Sequence, residues 1–158
     1  MASDFDKAVE EIQAAIIQDA RKIYSEKVIE HWLNPRNLGE MDNPDGFGKV
    51  TGPCGDTMEI SLKVRNSIIT DAKFITDGCG TTIACGSIGT DLTRGKSIQE
   101  ALNLSQKVIM DTLGGLPESD AHCALLTANA LYEAIRNYLA LRREPWKRVY
   151  DTKQNADT

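Results

Sequence analysis

The chain has four cysteines but no Cys-x-x-Cys pair. That absence argues against a zinc finger, whose close-set ligand pairs organise a small fold around the metal, and against a thioredoxin-type redox motif. No apolar run approaches the roughly 20 residues that a membrane-crossing helix needs, so a membrane span is excluded. Basic residues are outnumbered, 18 Lys and Arg against 23 Asp and Glu, giving a net charge of -5. A chain with a pI near 5.0 lacks the basic footprint that nucleic acid calls for. The N-terminus lacks a secretory apolar core, and Asp4, Asp6, Glu10, Glu11 and Asp19 contradict the acid-poor composition of an organellar transit peptide. The composition therefore reads as cytoplasmic, where thiols stay reduced and cysteines serve as free thiols or ligands more often than as disulfides. Internal repeats and low-complexity tracts are missing as well.

What is present suffices for one globular domain: 158 residues, 41% of them hydrophobic. Phe5, Val9, Ile12, Ile16, Ala20 and Ile23 recur at steps of three and four and predict an amphipathic helix, with Ser3 and Asp6 as its capping box. The same periodicity runs on through Val28 and Trp32 to Asn34-Pro35, as one helix or two. Residues 35–56 are rich in Asn, Pro, Gly and Asp and predict a loop with a short strand near Phe47 to Thr51. Met58, Ile60, Leu62 and Val64 alternate with polar residues, and Ile68 to Thr76 repeats the pattern beyond Arg65-Asn66-Ser67, which predicts an antiparallel hairpin. Ala84, Ile88 and Leu92 mark a helix that closes at Gly95; short helical pieces follow from Ser97 to Leu113. Asp120 is placed to cap a final helix carrying Leu125, Ala128, Leu131, Ile135, Tyr138 and Leu139. Strands cluster between helical regions, so the expected class is α+β: a small, about three-stranded antiparallel sheet packed against several helices, with an extra N-terminal helix. The expected organisation is an N-terminal helical extension over residues 1–23, a domain over 24–143 and a disordered polar tail over 144–158.

Three short strings, Pro53-Cys54-Gly55-Asp56, Gly78-Cys79-Gly80 and His122-Cys123, hold three of the four cysteines and one of the two histidines. Twenty-four residues separate Cys54 from Cys79 and forty-three separate Cys79 from Cys123, so three distant connections must deliver these side chains to a fold that exists before any metal binds. Gly55, Gly78 and Gly80 suit left-handed turns. Cys79 and Cys123 are expected near helix N-termini, whose positive end favours a thiolate, the form that binds metal or attacks sulfur. Neighbouring helical residues point about 100° apart, so His122 and Cys123 need not hold one metal together. Three thiolates with an imidazole or a carboxylate suit an iron-sulfur cluster, and equally tetrahedral zinc. Asp56 discriminates, because a hard carboxylate matches an iron-sulfide core poorly and leaves a cluster more labile.

Taken in order, Tyr24-Ser-Glu-Lys-Val-Ile-Glu-His-Trp-Leu-Asn-Pro-Arg-Asn-Leu38, Cys54-Gly-Asp56, Gly78-Cys-Gly80 and Leu116-Pro117 leading to His122-Cys123 resemble the IscU/NifU N-terminal family, from about Tyr24 to Leu139. The resemblance implies a non-enzymatic scaffold on which a labile [2Fe-2S] cluster is built from iron and sulfur and then transferred to apo iron-sulfur proteins. It implies a cysteine desulfurase as sulfur source, a ferredoxin-like electron donor, Cys54, Cys79 and Cys123 as cluster thiolates, and Asp56 and His122 at the same site. Cys123 matches the persulfide acceptor. The family's Leu-Pro-Pro-Val-Lys, read by a dedicated chaperone, is here Leu116-Pro-Glu-Ser-Asp120, which puts chaperone recognition in question. Cys85 falls beside an apolar stripe and reads as an inert buried thiol; His31 reads as structural or solvated, and Arg142, Arg143, Lys147 and Arg148 as a solvated face. The apolar face of residues 1–23 is expected to pack on this domain or on a second subunit, as in a homodimer. The rival reading is a zinc-binding sulfur acceptor or sulfurtransferase built on the same residues.

Overall fold

The computed structural model describes residues 3–144. Two helices open the chain, α1 (Asp4–Arg21) and α2 (Glu26–Leu33), and three strands follow, β1 (Gly46–Thr51), β2 (Thr57–Arg65) and β3 (Ile68–Thr76). Helix α3 (Gly80–Thr93), the short α4 (Ile98–Ala101) and α5 (Gln106–Thr112), a 3₁₀ turn at Glu118–Asp120 and the long α6 (Ala121–Arg143) complete it. The strands form one antiparallel sheet in the order β1-β2-β3, so the fold is α+β as expected.

Local chemistry explains the element ends. Ser3 and Asp6 form the capping box of α1. The long N-terminal periodicity resolves into two helices because Ser25 caps the second: its hydroxyl accepts the Val28 N–H at 3.2 Å and donates to the Leu113 carbonyl. Asn66 and Ser67 both take positive φ, 54° and 63°, as a two-residue hairpin turn between right-twisted strands requires.

Alternation along β2 and β3 turns Met58, Ile60, Leu62, Ala72 and Phe74 to one buried face, which α6 covers with Ala130, Leu131, Ala134 and Ile135. Each large apolar side chain buried in this way contributes about 1.5–3 kcal/mol. Contact with β1 is close enough to exclude a side chain: a Cβ on Gly48 would stand 2.4 Å from the Ala134 nitrogen and 2.5 Å from the Ala130 carbonyl. A second cluster, including Val28, Ala84, Ile88, Ile109, Leu113 and Ala124, fixes α2, α3, α5 and the first turns of α6 against one another. Cys85 lies in this cluster, fully buried, and burial pushes its thiol far above the ordinary range, so its reading as an inert core residue holds structurally. His31 is also buried, its Nδ1 2.7 Å from the Ser87 hydroxyl, and burial lowers its pKa. That is the structural role and not the solvated one.

Of the two packings expected for the apolar face of α1, on this domain or on a second subunit, the first does not occur. Its apolar stripe does not pack on this domain: Phe5 is 76% exposed, Ile12 61% and Ile16 52%, and Ala20 is the one buried residue of the helix. The expected disorder of the tail concerns residue 144, which is described, and residues 145–158, which lie outside the described residues.

Candidate functional site

The sheet register brings the first two strings together. Met58 pairs with Thr76, so the residues just before β2 lie across from those just after β3. Side chains lock this end: the Thr57 N–H donates to Asp77 Oδ1 at 2.7 Å and the Thr76 hydroxyl to the Thr57 carbonyl at 2.6 Å. The loop between β1 and β2 turns back on itself through Gly52 N–H to Asp56 O at 2.8 Å and Gly55 N–H to Gly52 O at 3.0 Å, with Gly55 at φ +85°. Cys54 is thereby exposed at the loop tip, and Asp56 is half-buried at its base.

Cys79 is the N-cap residue of α3. Burial raises its pKa, but the Thr82 N–H and hydroxyl and the Thr81 N–H outweigh that against the opposing charge of Asp56, and the net shift is downward. This is the helix-terminus help expected from the sequence. The glycines beside it serve another purpose than the expected left-handed turns, because neither Gly78 nor Gly80 has positive φ. They admit close approach: a Cβ on Gly78 would meet the Thr82 side chain at 2.7 Å, and one on Gly80 the Trp32 ring.

Cys123 occupies the first turn of α6 but is only 1% exposed. Burial dominates the helix terminus here and pushes the thiol up to about 11, despite a hydrogen bond from the Thr82 hydroxyl at 3.4 Å, with the charges of Cys79, Asp120 and Asp56 adding to the rise. The expectation of thiolate help at Cys123 is therefore corrected: desolvation of an enclosed thiol outweighs the dipole. Asp120 precedes α6 without capping it by its side chain. Its carboxylate instead accepts the Tyr24 hydroxyl at 2.6 Å, which ties the start of α2 to the turn before His122.

The His122 and Cys123 side chains, adjacent in sequence, come close to each other in the structure. The imidazole Nε2 lies 3.4 Å from Cys54 Sγ and 3.6 Å from Cys123 Sγ, between two thiols. Cys54, Asp56, Cys79, His122 and Cys123 thus lie toward one end of the domain, although among the described residues no three His, Cys, Asp or Glu side chains are placed to hold a metal ion together. Gathered but open, the set is soft in its sulfurs, borderline at the imidazole and hard at the carboxylate.

The NifU-like N-terminal domain matches residues 23–144. The chain belongs to this family. It is 45% identical over 117 residues to the iron-sulfur cluster assembly scaffold protein IscU 1 of Archaeoglobus fulgidus, covering 73% of this chain and 76% of that protein. It is 46% identical over 119 residues to the scaffold protein IscU of Aquifex aeolicus, with the same two coverages of 73% and 76%. A solved NifU-like N-terminal protein from Brucella abortus shares the fold, with a TM-score of 0.59 over 75% of this chain and 95% of that one at 23% identity.

In this NifU-like chain, two supports of the site had no signal in the sequence. Thr82 is fully buried and links two of the cysteines, 3.7 Å from Cys79 Sγ and 3.4 Å from Cys123 Sγ. Tyr24 stands ninety-six residues from Asp120, and only the fold pairs them.

Proposed function

We propose that this chain is a scaffold on which a labile [2Fe-2S] cluster is assembled and from which it passes to apo iron-sulfur proteins. The observation that carries this reading is His122 standing between the thiols of Cys54 and Cys123, with Cys79 linked to Cys123 through Thr82 and Asp56 at the base of the Cys54 loop. Thiolates are the usual ligands of such clusters, and a carboxylate in the set holds the cargo less firmly. The naming of its relatives as assembly scaffolds supports the same role, that of a carrier without turnover of its own.

Cys54, Cys79 and Cys123 hold the cluster, with Asp56 and His122 completing the donor set. Sulfur enters at Cys123: its thiolate attacks the outer sulfur of a persulfide on a cysteine desulfurase, the donor's S–S bond breaks, and the donor cysteine leaves as a thiolate. A ferredoxin-like donor then supplies two electrons, which reduce the sulfane sulfur to sulfide and restore the Cys123 thiolate. Iron enters on the exposed side, at Cys54, Asp56 and Cys79. Because Cys123 is enclosed, docking of the desulfurase must open the first turn of α6 or lift the Cys54 loop before sulfur moves.

Anaerobic reconstitution with iron, cysteine and a cysteine desulfurase tests this reading, followed by visible absorption and by transfer to an apo-ferredoxin. The expected result is a visible chromophore that the wild type hands over, that Asp56→Ala retains, and that Cys54→Ser, Cys79→Ser and Cys123→Ser fail to form. Binding of zinc alone, with no transferable cluster, would overturn the scaffold reading and leave the zinc-binding sulfur-acceptor reading standing.

A further inference from the structure

The apolar stripe of α1 and an arginine-rimmed groove on the body of the domain are both uncovered in the monomer. At 3.6 residues per turn, Phe5, Val9, Ile12 and Ile16 share one side of α1, with Asp4 and Glu11 on one flank and Asp6 and Glu10 on the other. On the body, Leu102 and the α6 residues Tyr132 and Leu139 line a groove with Arg143 and with Arg136, which also pairs with Glu133 at 3.5 Å. Tyr132 is 56% exposed and Leu102 44%. Two contiguous apolar surfaces of opposite rim charge on a protein this small mark an interface.

Helix α1 cannot cover its own groove in the pose it holds. Ala20 is buried at the C-terminal end of α1, and the Ile23 and Tyr24 N–H groups both donate to its carbonyl, at 3.0 and 2.8 Å. In this pose the stripe is left exposed and not laid on the body. A second copy needs no change of that pose. The 18-residue helix is about 27 Å long, enough to cross the outer half of a neighbour's α6.

We propose that two copies of this chain exchange their N-terminal helices, α1 of each seating Phe5, Val9, Ile12 and Ile16 in the Leu102–Tyr132–Leu139 groove of the other while its acidic flanks meet Arg136 and Arg143. The exchange is reciprocal, so the contact closes as a two-fold dimer. The groove lies toward the C-terminal end of α6 and the cysteine site at its N-terminal end, so both sites stay open to partners.

The test is light scattering on size-exclusion eluates and sedimentation equilibrium of the full chain, reduced and free of metal. Wild type should run at about twice its 17.4 kDa chain mass. Ile12→Glu should weaken association roughly tenfold or more, and so should the double variant Arg136→Glu with Arg143→Glu. Circular dichroism checks that each variant keeps its helices; all three side chains are exposed, so folding does not depend on them. A chain carrying Asp4→Lys and Glu11→Lys should also be monomeric alone, yet form a one-to-one complex with the arginine double variant. Three results would overturn the proposal: a wild type that stays monomeric, a dimer untouched by the arginine variant, which would show α1 pairing with α1, or charge-reversed variants that do not pair.

Discussion

The enclosure of Cys123 makes a quantitative demand on any chemistry that begins there. Its thiol is raised from 9.0 to about 11, which leaves about a hundredfold less thiolate below pH 9 than an unfolded chain would carry. Only the thiolate reacts with an alkylating agent, and only a conformation that exposes the sulfur lets the reagent in, so the two factors multiply. With the metal-free, reduced protein near pH 8, iodoacetamide should therefore label Cys123 more than about a hundredfold slower than in a urea-denatured sample. Peptide mass mapping follows each cysteine separately: exposed Cys54 and Cys79 should react quickly, and fully buried Cys85 most slowly. The sign with pH follows from the same shift. Folding favours the neutral thiol, so its contribution is complete below pH 9 and is lost as pH rises toward 11, on the order of 2–3 kcal/mol. Labelling of Cys123 within about tenfold of the denatured rate would refute the reasoning, because the site would then be open in solution without any partner.

Tyr24→Phe removes the donor to Asp120 and should cost about 1 kcal/mol in urea unfolding, with the fold unchanged by circular dichroism. Gly48→Ala forces a methyl into the α6 backbone and should destabilise the protein by about 1–3 kcal/mol or more, read from the same denaturation midpoint. Burial holds His31 neutral, with a folded pKa below its unfolded 6.5, so stability should fall as pH drops below 6.5; His31→Gln should flatten that part of the stability–pH curve. Cys85→Ala should leave cluster formation and transfer at wild-type level in the reconstitution assay, because Cys85 is fully buried and its burial holds the thiol protonated.

The hairpin was legible because Met58, Ile60, Leu62 and Val64 alternate, and a period of two has a single structural meaning. The break between α1 and α2 was left open by the same kind of pattern, since apolar spacing continues across it and only the Ser25 cap ends one helix and begins another. The site strings were visible because cysteine is scarce and glycine flanks it. The purpose of those glycines was legible in part: Gly55 does take positive φ, whereas Gly78 and Gly80 make room for Thr82 and Trp32, a contact that no local pattern encodes. Asp120 has the right identity and position for a cap, yet Tyr24 claims its carboxylate.

By itself, then, the sequence determined what is local or periodic: the helices and strands, the α+β class, the short strings that carry the five candidate site residues and the ordered motifs that place the chain in its family. Tertiary structure alone decided the electrostatics and the exposure. Cys79 and Cys123 both sit at helix N-termini, but one is exposed and held toward the thiolate while the other is enclosed and held neutral, because desolvation depends on what packs over a sulfur and not on its place in the chain. The stripe of α1 looks like a core face in sequence and is left exposed in the fold.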